Sequence, residues 1–414
     1  MKFISRLALA TTLAMPVLGA AAISPASAQE AEDAYKPDIS KQARKPLGEA
    51  QAAVEAQDYA TAIAKAREGL AEARTPDDRF YAGRTMLTAA QASNDAAAED
   101  EALQLMVRSE SPLVTANLVE QIYLNLANKA RQAENPTQET AYYNELLQKQ
   151  PDNINATIGL AEAMVAQGQT QEGIARMRSA IEAKKATGEA VPEAWYRRGF
   201  VLAYNNKLTN EMTPMGIALV ENYPTPTNWR DVLLTYRDSN DFPDKVQLDI
   251  FRLLNAVDGL TTEGDYFEYA STAERSRYTG EADAALKSGI SAGLISADKP
   301  YVKELSNLIA PRFDSDRSDL PNLAKEARAD ADGKLAAETA TTYLGYGDNA
   351  KAAELYRVAL EKGGVDASTI NTRLGIALAR QGDTAGARAA FEAAKGGQTG
   401  TLADFWLAYL NSQA

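Results

Sequence analysis

The segments ATTYLGYGDNAKAAELYRVAL (Ala340 to Leu360) and LGIALARQGDTAGARAAFEAA (Leu374 to Ala394) carry one spacing written twice. Gly347 and Gly382, Ala352 and Ala387, Tyr356 and Phe391, and Ala359 and Ala394 each stand 35 residues apart. A fixed interval of this size marks one supersecondary unit copied along the chain, and it restricts the fold to a stack in which each copy packs on the next. On both sides of the Gly-Asp turn the apolar residues recur at helical spacing, so a unit reads as two amphipathic helices of about a dozen residues. One such pair leaves an apolar face uncovered, and neighbours of the same kind cover it.

The same pattern recurs upstream. Ile158 to Ile181 has Ala161, Gly168, Gly173, Met177 and Ala180 in matching places, and Ser271 to Gly293 has Ala273, Gly280, Ala285, Gly289 and Ala292. Fainter copies begin near Ala43, Phe80, Glu120, Pro192 and Pro226. Small residues such as Ala161, Gly199, Ala273 and Gly375 let paired helices approach closely, while Tyr143, Met177, Tyr356 and Phe391 fill the space between pairs. Pro76, Pro112, Pro151 and Pro224 fall between units, where a fixed φ and a missing amide end one helix without harming the next.

Leu374, Gly375, Leu378, Ala387, Phe391 and Ala394 together resemble the tetratricopeptide repeat, with Asn371 where that family often has Trp. Trp195, Gly199 and Leu202 supply another partial match, as do Trp229, Leu233 and Tyr236. The resemblance covers most of residues 43–395. It implies an all-α, tetratricopeptide-like solenoid of helix-turn-helix repeats, working as an interaction scaffold whose first helices line a concave groove.

The domain organisation follows. Residues 1–28 combine Lys2 and Arg6, an apolar run from Leu7 to Ile23 and the small pair Ala26 and Ala28, the pattern of a secretory signal peptide cut before Gln29. Residues 29–42 read as a flexible tail, 43–310 as the helical array, and 333–414 as a C-terminal repeat pair. The pair is closed by a capping helix over Leu402 to Leu410, with Phe405, Trp406 and Tyr409 as its covering rings. Between them, residues 311–332 hold two prolines and several aspartates, and read as a loop or hinge, or as part of a degenerate copy over Lys299 to Asp332.

The formal charge is -13, and it becomes -15 once a leader with two basic and no acidic residues is removed. Such a chain repels phosphate backbones, so a nucleic-acid partner is not expected. Neither is stable membrane insertion, since no second segment is apolar enough to span a bilayer. With no cysteine the mature chain has neither a disulfide nor a lipid-attachment thiol. These features together point to a periplasmic protein.

Catalytic motifs are weak. Gly289 to Gly293 fits the G-x-S-x-G of α/β-hydrolases, but the chain has no His to take a proton from Ser291, and helix-forming sequence precedes it. Ser296 to Lys299 fits S-x-x-K without the motifs that accompany it in β-lactamase relatives. Asp314, Asp316 and Asp319, or Asp330 and Asp332, lack the ligand order of a calcium loop. The expectation is a chain that is not an enzyme and holds no cofactor or metal.

Placing the groove face on WYRRGFVLAY turns Tyr196, Phe200 and Tyr204 inward, and the neighbouring units add Arg230 and Arg237, then Phe267, Glu274, Arg277 and Tyr278. Aromatics that lose little entropy and arginines that grip carboxylates at two points suit an extended peptide or a sugar acid, and the expected partner is a protein or peptide ligand, in a cell-envelope complex. The same rings serve equally to fill irregular space between repeats. Two other readings stay open: a helical enzyme or binding protein acting on cell-envelope polysaccharide through carboxylates, and a carrier with a compact apolar pocket.

Overall fold

The computed structural model describes residues 35–413, so the leader expected at 1–28 lies outside the described residues. Among those residues there are twenty helices and no strand. The chain divides into two units after Glu189. Thr187–Val191 carries no helix there, with Gly188 at φ 75° and Pro192 opening the next helix.

The first unit holds α1 (Lys41–Glu55), α2 (Tyr59–Ala71), α3 (Pro76–Ser93), α4 (Ala96–Val107), α5 (Ala116–Gln132), α6 (Pro136–Lys149), α7 (Ile154–Ala166) and α8 (Thr170–Ala186). Each packs on the helix before it, and one continuous core runs from Ala50 to Ala163 through Phe80, Met86, Leu103, Tyr123 and Leu146.

The turns inside the pairs explain the Gly-Asp signature. Gln57, Asn94, Glu134, Gly168, Lys207, Arg277, Gly347 and Gly382 all have φ between 53° and 83°, the left-handed turn residue just past a helix. The next amide then reaches back to a carbonyl five residues earlier, as in Asp58 to Ala53 at 2.9 Å and Asp383 to Leu378 at 3.0 Å. Where that next residue is Asp or Asn its side chain caps the second helix: Asp58, Asp95, Asn135, Asp348 and Asp383 each accept the amide three residues on. Left-handed backbone followed by an N-cap is one device, and Gly-Asp is its least strained spelling.

The tail expected at 29–42 is fastened from Tyr35 onward. The Asp38 amide donates to Asp77 at 2.7 Å, the Ser40 amide to Asp78 at 2.9 Å, and the Tyr35 hydroxyl to Asp77 at 3.2 Å. Both carboxylates are buried. Burial would raise the pKa of Asp78, but amides of Arg74, Ser40 and Thr75 outweigh it and hold it below the usual value.

The second unit holds α9 (Glu193–Asn205), α10 (Thr209–Asn222), α11 (Pro226–Asp238), α12 (Asp244–Ala256), α13 (Glu263–Arg275), α14 (Thr279–Ser291), α15 (Pro300–Ala329), α16 (Lys334–Gly345), α17 (Asn349–Lys362), α18 (Ala367–Arg380), α19 (Thr384–Ala393) and α20 (Gly397–Ser412). Residues 311–329 are therefore not a loop or hinge, since Pro311 and Pro321 sit inside the 30-residue α15, and only 330–333 lie between helices. Proline favours breaking a helix, yet here an apolar stripe overrides it. Val302, Leu305 and Ile309 are buried before Pro311, and Leu320, Ala324 and Ala327 after it. The stretch between is pinned from outside, by Arg312 on Glu274 at 2.5 Å, by Thr279 on Asp316 at 2.6 Å and by the Tyr346 hydroxyl on the Phe313 carbonyl at 2.9 Å.

The capping helix is present as α20, with Phe405 and Trp406 buried and Trp406 stacked on Phe391 at 5.6 Å. It does more than cover the last repeat. It also packs on α10 and α12, with Tyr236 and Phe405 ring centroids 5.4 Å apart and Asn411 donating to Glu221 at 3.0 Å, so the second unit closes on itself. Inside this closure α12 is buried nearly all round: Val246 and every residue from Leu248 to Leu254 is shielded from water.

Gly375 and Gly382 separate the two uses of small residues. A methyl at Gly375 would stand 2.5 Å from the buried Phe391 ring, whereas one at Gly382 meets nothing within 4 Å but sits at φ 79°. Trp195, Trp229 and Trp406, the chain's only tryptophans, all lie in the second unit, so indole fluorescence reports that unit alone. In urea unfolding followed this way, Gly382→Ala is expected to cost about 1 kcal/mol, a backbone effect. Gly375→Ala is expected to cost about 1–3 kcal/mol through overpacking, against the higher helix propensity of Ala. A neutral Gly375→Ala would show that α18 and α19 do not meet closely.

Candidate functional site

The sequence places nine side chains on one inner wall, and the structure disperses them; Glu274 is already held by Arg312 at 2.5 Å. Tyr196, Phe200 and Tyr278 are core residues, 1%, 6% and 3% exposed, which corrects their placement on a free groove. Tyr196 packs on Tyr223, and Tyr278 donates to Glu338 at 2.9 Å beneath the Lys245 ammonium. Arg230 grips Asp265 at 2.9 Å. Arg237 is held by Asp238 and Glu268 over the Phe251 ring. Phe267 is half-buried, edge-on to Tyr301 at 4.8 Å. Arg277 is the left-handed residue of the α13–α14 turn, at φ 66°. Of the three α9 rings assigned to the groove, Tyr204 alone is open, at 40%, beside a hollow of about 450 Å³ with Lys207, Met212 and Asp238. Tyr196 and Phe200 face inward as expected, but what faces them is the chain's own interior.

Around α12 lies a buried ionic lattice. Arg252 is bidentate on Glu281, with bonds of 2.8 and 2.5 Å, and also meets Asp249; Arg373 reaches Asp249 at 3.0 Å. Tyr269 adds a hydroxyl to Glu281 at 2.7 Å, and Arg373 a further bond to the Lys245 carbonyl at 3.1 Å. Two cations meet two carboxylates, so the lattice is neutral. Burial alone would raise Glu281; the Arg252 guanidinium and these bonds prevail and keep it below the ordinary value of 4.5. Every oxygen is occupied, and the lattice has the chemistry of a strut rather than of a general acid.

An open cavity of about 1070 Å³ lies where the closure brings α10 to α19 and α20. Pro214 and Ile217 of α10, Tyr236, Phe242 and Leu407 give it apolar walls. Its charged rim is Glu221, Arg388, Glu392 and Asp404, an excess of two negative charges. Glu221 accepts from Asn411, which in turn accepts from Arg388 at 2.9 Å. Asp404 makes no hydrogen bond or ion pair among the described residues, and partial burial pushes its carboxyl up. A second hollow of about 560 Å³ shares Glu392, Thr401, Asp404 and Leu407 and continues past Lys395, making the opening elongated. Sequence reasoning missed this cleft because α10 and α20 lie about 190 residues apart, as Asn411 and Glu221 do. The only local signal was the aromatic clasp of α20, whose opposite face carries Asp404.

The hydrolase-like Ser291 ends α14, a helix, with no strand before it. Among the described residues no group of three or more carboxylates is arranged to hold a metal ion, and no helix is long and apolar enough to cross a membrane.

No protein-family model matches the sequence, and no curated protein matches it either. Among solved structures, the TPR2AB-domain:pHSP90 complex of yeast Sti1 aligns at 12% identity over 72% of this chain and 100% of that one, with a TM-score of 0.28. The structure of Naa15/Naa10 bound to HypK-THB aligns at 15% identity over 85% of this chain and 57% of that one, with a TM-score of 0.32. Likenesses this slight say nothing about what the chain binds.

The lattice makes the second unit sensitive to acid. Because the folded pKa of Glu281 lies below 4.5, its contribution is fully present above that pH and is lost as pH falls through the folded value. Indole fluorescence during urea unfolding is expected to show stability falling as pH drops below 4.5. Glu281→Gln is expected to flatten that dependence and, by stranding Arg252, to cost about 3–5 kcal/mol at neutral pH. An unchanged slope in the variant would assign the acid sensitivity elsewhere.

Proposed function

We propose that this chain is an exported, non-catalytic scaffold that holds a protein or peptide segment, with the cleft between α10 and α20 as its seat. The observation that supports this most is the place of Asp404: an exposed carboxylate with no hydrogen bond or ion pair among the described residues, set beside Leu407 in an elongated apolar opening. A cationic side chain arriving there pairs with the carboxylate, while apolar neighbours cover Ile217, Phe242 and Leu407. Glu221 and Glu392 extend the same preference, so the fitting partner is a segment that alternates basic and apolar residues. The stacked helices supply a rigid frame, and the cleft needs no chemistry beyond charge and shape.

The basic start, apolar run and Ala28–Gln29 junction of the leader support periplasmic residence, which sets the partner in the cell envelope. Intact-mass measurement of the protein from a periplasmic extract is expected to give a chain beginning at Gln29. Recovery from the cytoplasm with Met1 retained would overturn export.

For the cleft, fluorescence anisotropy with two labelled nonapeptides, one alternating Lys and Leu and the other Glu and Leu, is the direct measurement. The cationic peptide is expected to bind and the anionic one not. Asp404→Asn with Glu392→Gln should weaken binding about tenfold while the melting temperature stays level. Equal affinity of the double variant, or no binding of the cationic peptide, would remove the cleft as the seat.

A further inference from the structure

At one end of the cleft beside α20 the chain's own side chains join across the opening. Asn411 stands there between two opposite charges. Its Oδ1 accepts from the Arg388 guanidinium at 2.9 Å and its Nδ2 donates to Glu221 at 3.0 Å, so one amide ties α19 and α20 to α10. The two charges fix which way the amide points, because a flip would set its oxygen against the carboxylate and its NH2 against the cation. Arg388 has no carboxylate partner among the described residues, and Glu221 has no other hydrogen bond or ion pair among them. All three side chains line the cleft.

The place of this tie follows from helix geometry. Asp404 and Asn411 are seven residues apart on α20, close to two full turns, so they share a face about 10 Å apart along the axis. Leu407 stands between them on the same wall. That length corresponds to about three steps of extended chain, so a segment anchored at Asp404 and laid over Leu407 reaches Glu221. What it meets there is a carboxylate already held by an internal donor, with the Arg388 charge behind it.

An ammonium or guanidinium is a stronger partner for Glu221 than a neutral amide, since it brings a full charge and further donors. To take that place it must break the Asn411 bond and come near a like charge. Arg388 and Asn411 together therefore imitate the ligand, one supplying the charge and the other the donor. Asp404 has no such internal partner, so the cleft has one carboxylate open and one guarded.

We infer that the Arg388–Asn411–Glu221 tie is an autoinhibitory contact, displaced by the basic segment that the cleft takes up. It keeps the affinity for such a segment below what Glu221, Glu392 and Asp404 would give if all were free. This rests on the cleft being the seat of a basic and apolar segment, and it adds how access to that seat is set.

Fluorescence anisotropy with the labelled Lys-Leu nonapeptide tests it, using the whole protein, Asn411→Ala, Glu221→Gln and the two substitutions combined. Asn411→Ala removes the tie without changing the charge, and alanine suits the exposed last turn of α20, so the melting temperature is expected to stay level. Binding is expected to tighten about threefold. With Glu221→Gln already in place the same substitution is expected to change nothing, because the carboxylate it would release is gone. A contact that only builds the cleft, or that holds Glu221 ready for the ligand, predicts the opposite sign, weaker binding in Asn411→Ala. Unchanged or weaker binding, or tightening that persists beside Glu221→Gln, would overturn this inference and leave the cleft reading standing. No binding by the unaltered protein or any variant would overturn the cleft reading, and this inference with it.

Discussion

Two guanidiniums sealed from water, Arg252 and Arg373, set the terms for the second unit. Removing a charge from water costs several kcal/mol per ion, and only a well-formed set of opposite charges and hydrogen bonds offsets it. Here the set draws on three helices: Asp249 and Arg252 from α12, Glu281 from α14 and Arg373 from α18. Asp249 and Arg373 are 124 residues apart. A slip of one helix against its neighbour would leave an uncompensated charge in a dry interior, so the lattice specifies the register of the stack more than it adds to its strength.

From that constraint follows where function can reside. A helix buried on nearly all sides takes up the space that an open superhelix would leave for a ligand. Tyr196, Phe200 and Tyr278 are themselves buried and leave no free wall. At the margin of the closure an acidic, apolar-floored cleft stays accessible beside α20.

The repeat was legible because its signals are local. The Gly-Asp turn is a left-handed residue followed by an N-cap, both decided within a few residues, and the Gly375–Phe391 contact joins adjacent helices of one pair. Residues 311–332 misled for a physical reason: proline and aspartate report local cost, whereas α15 is held by distant partners, Glu274, Thr279 and Tyr346. Arg277 misled in another way, since any residue can occupy the left-handed position at some strain and nothing in its identity reveals it. The candidate cleft was illegible altogether. It exists because α20 returns to α10, and helical periodicity states which face is apolar but not which distant face covers it.

That return has a consequence for how the protein is made. In the first unit each helix finds its neighbour as soon as it appears, and the stack can grow from one end. The second unit cannot be finished in this way, because α12 waits for α18 and α20, more than a hundred residues downstream. Until those helices are in place, Asp249 has no Arg373 and the apolar flank of α10 has no lid. Helix α20 is therefore the latch that turns a growing array into a finished body.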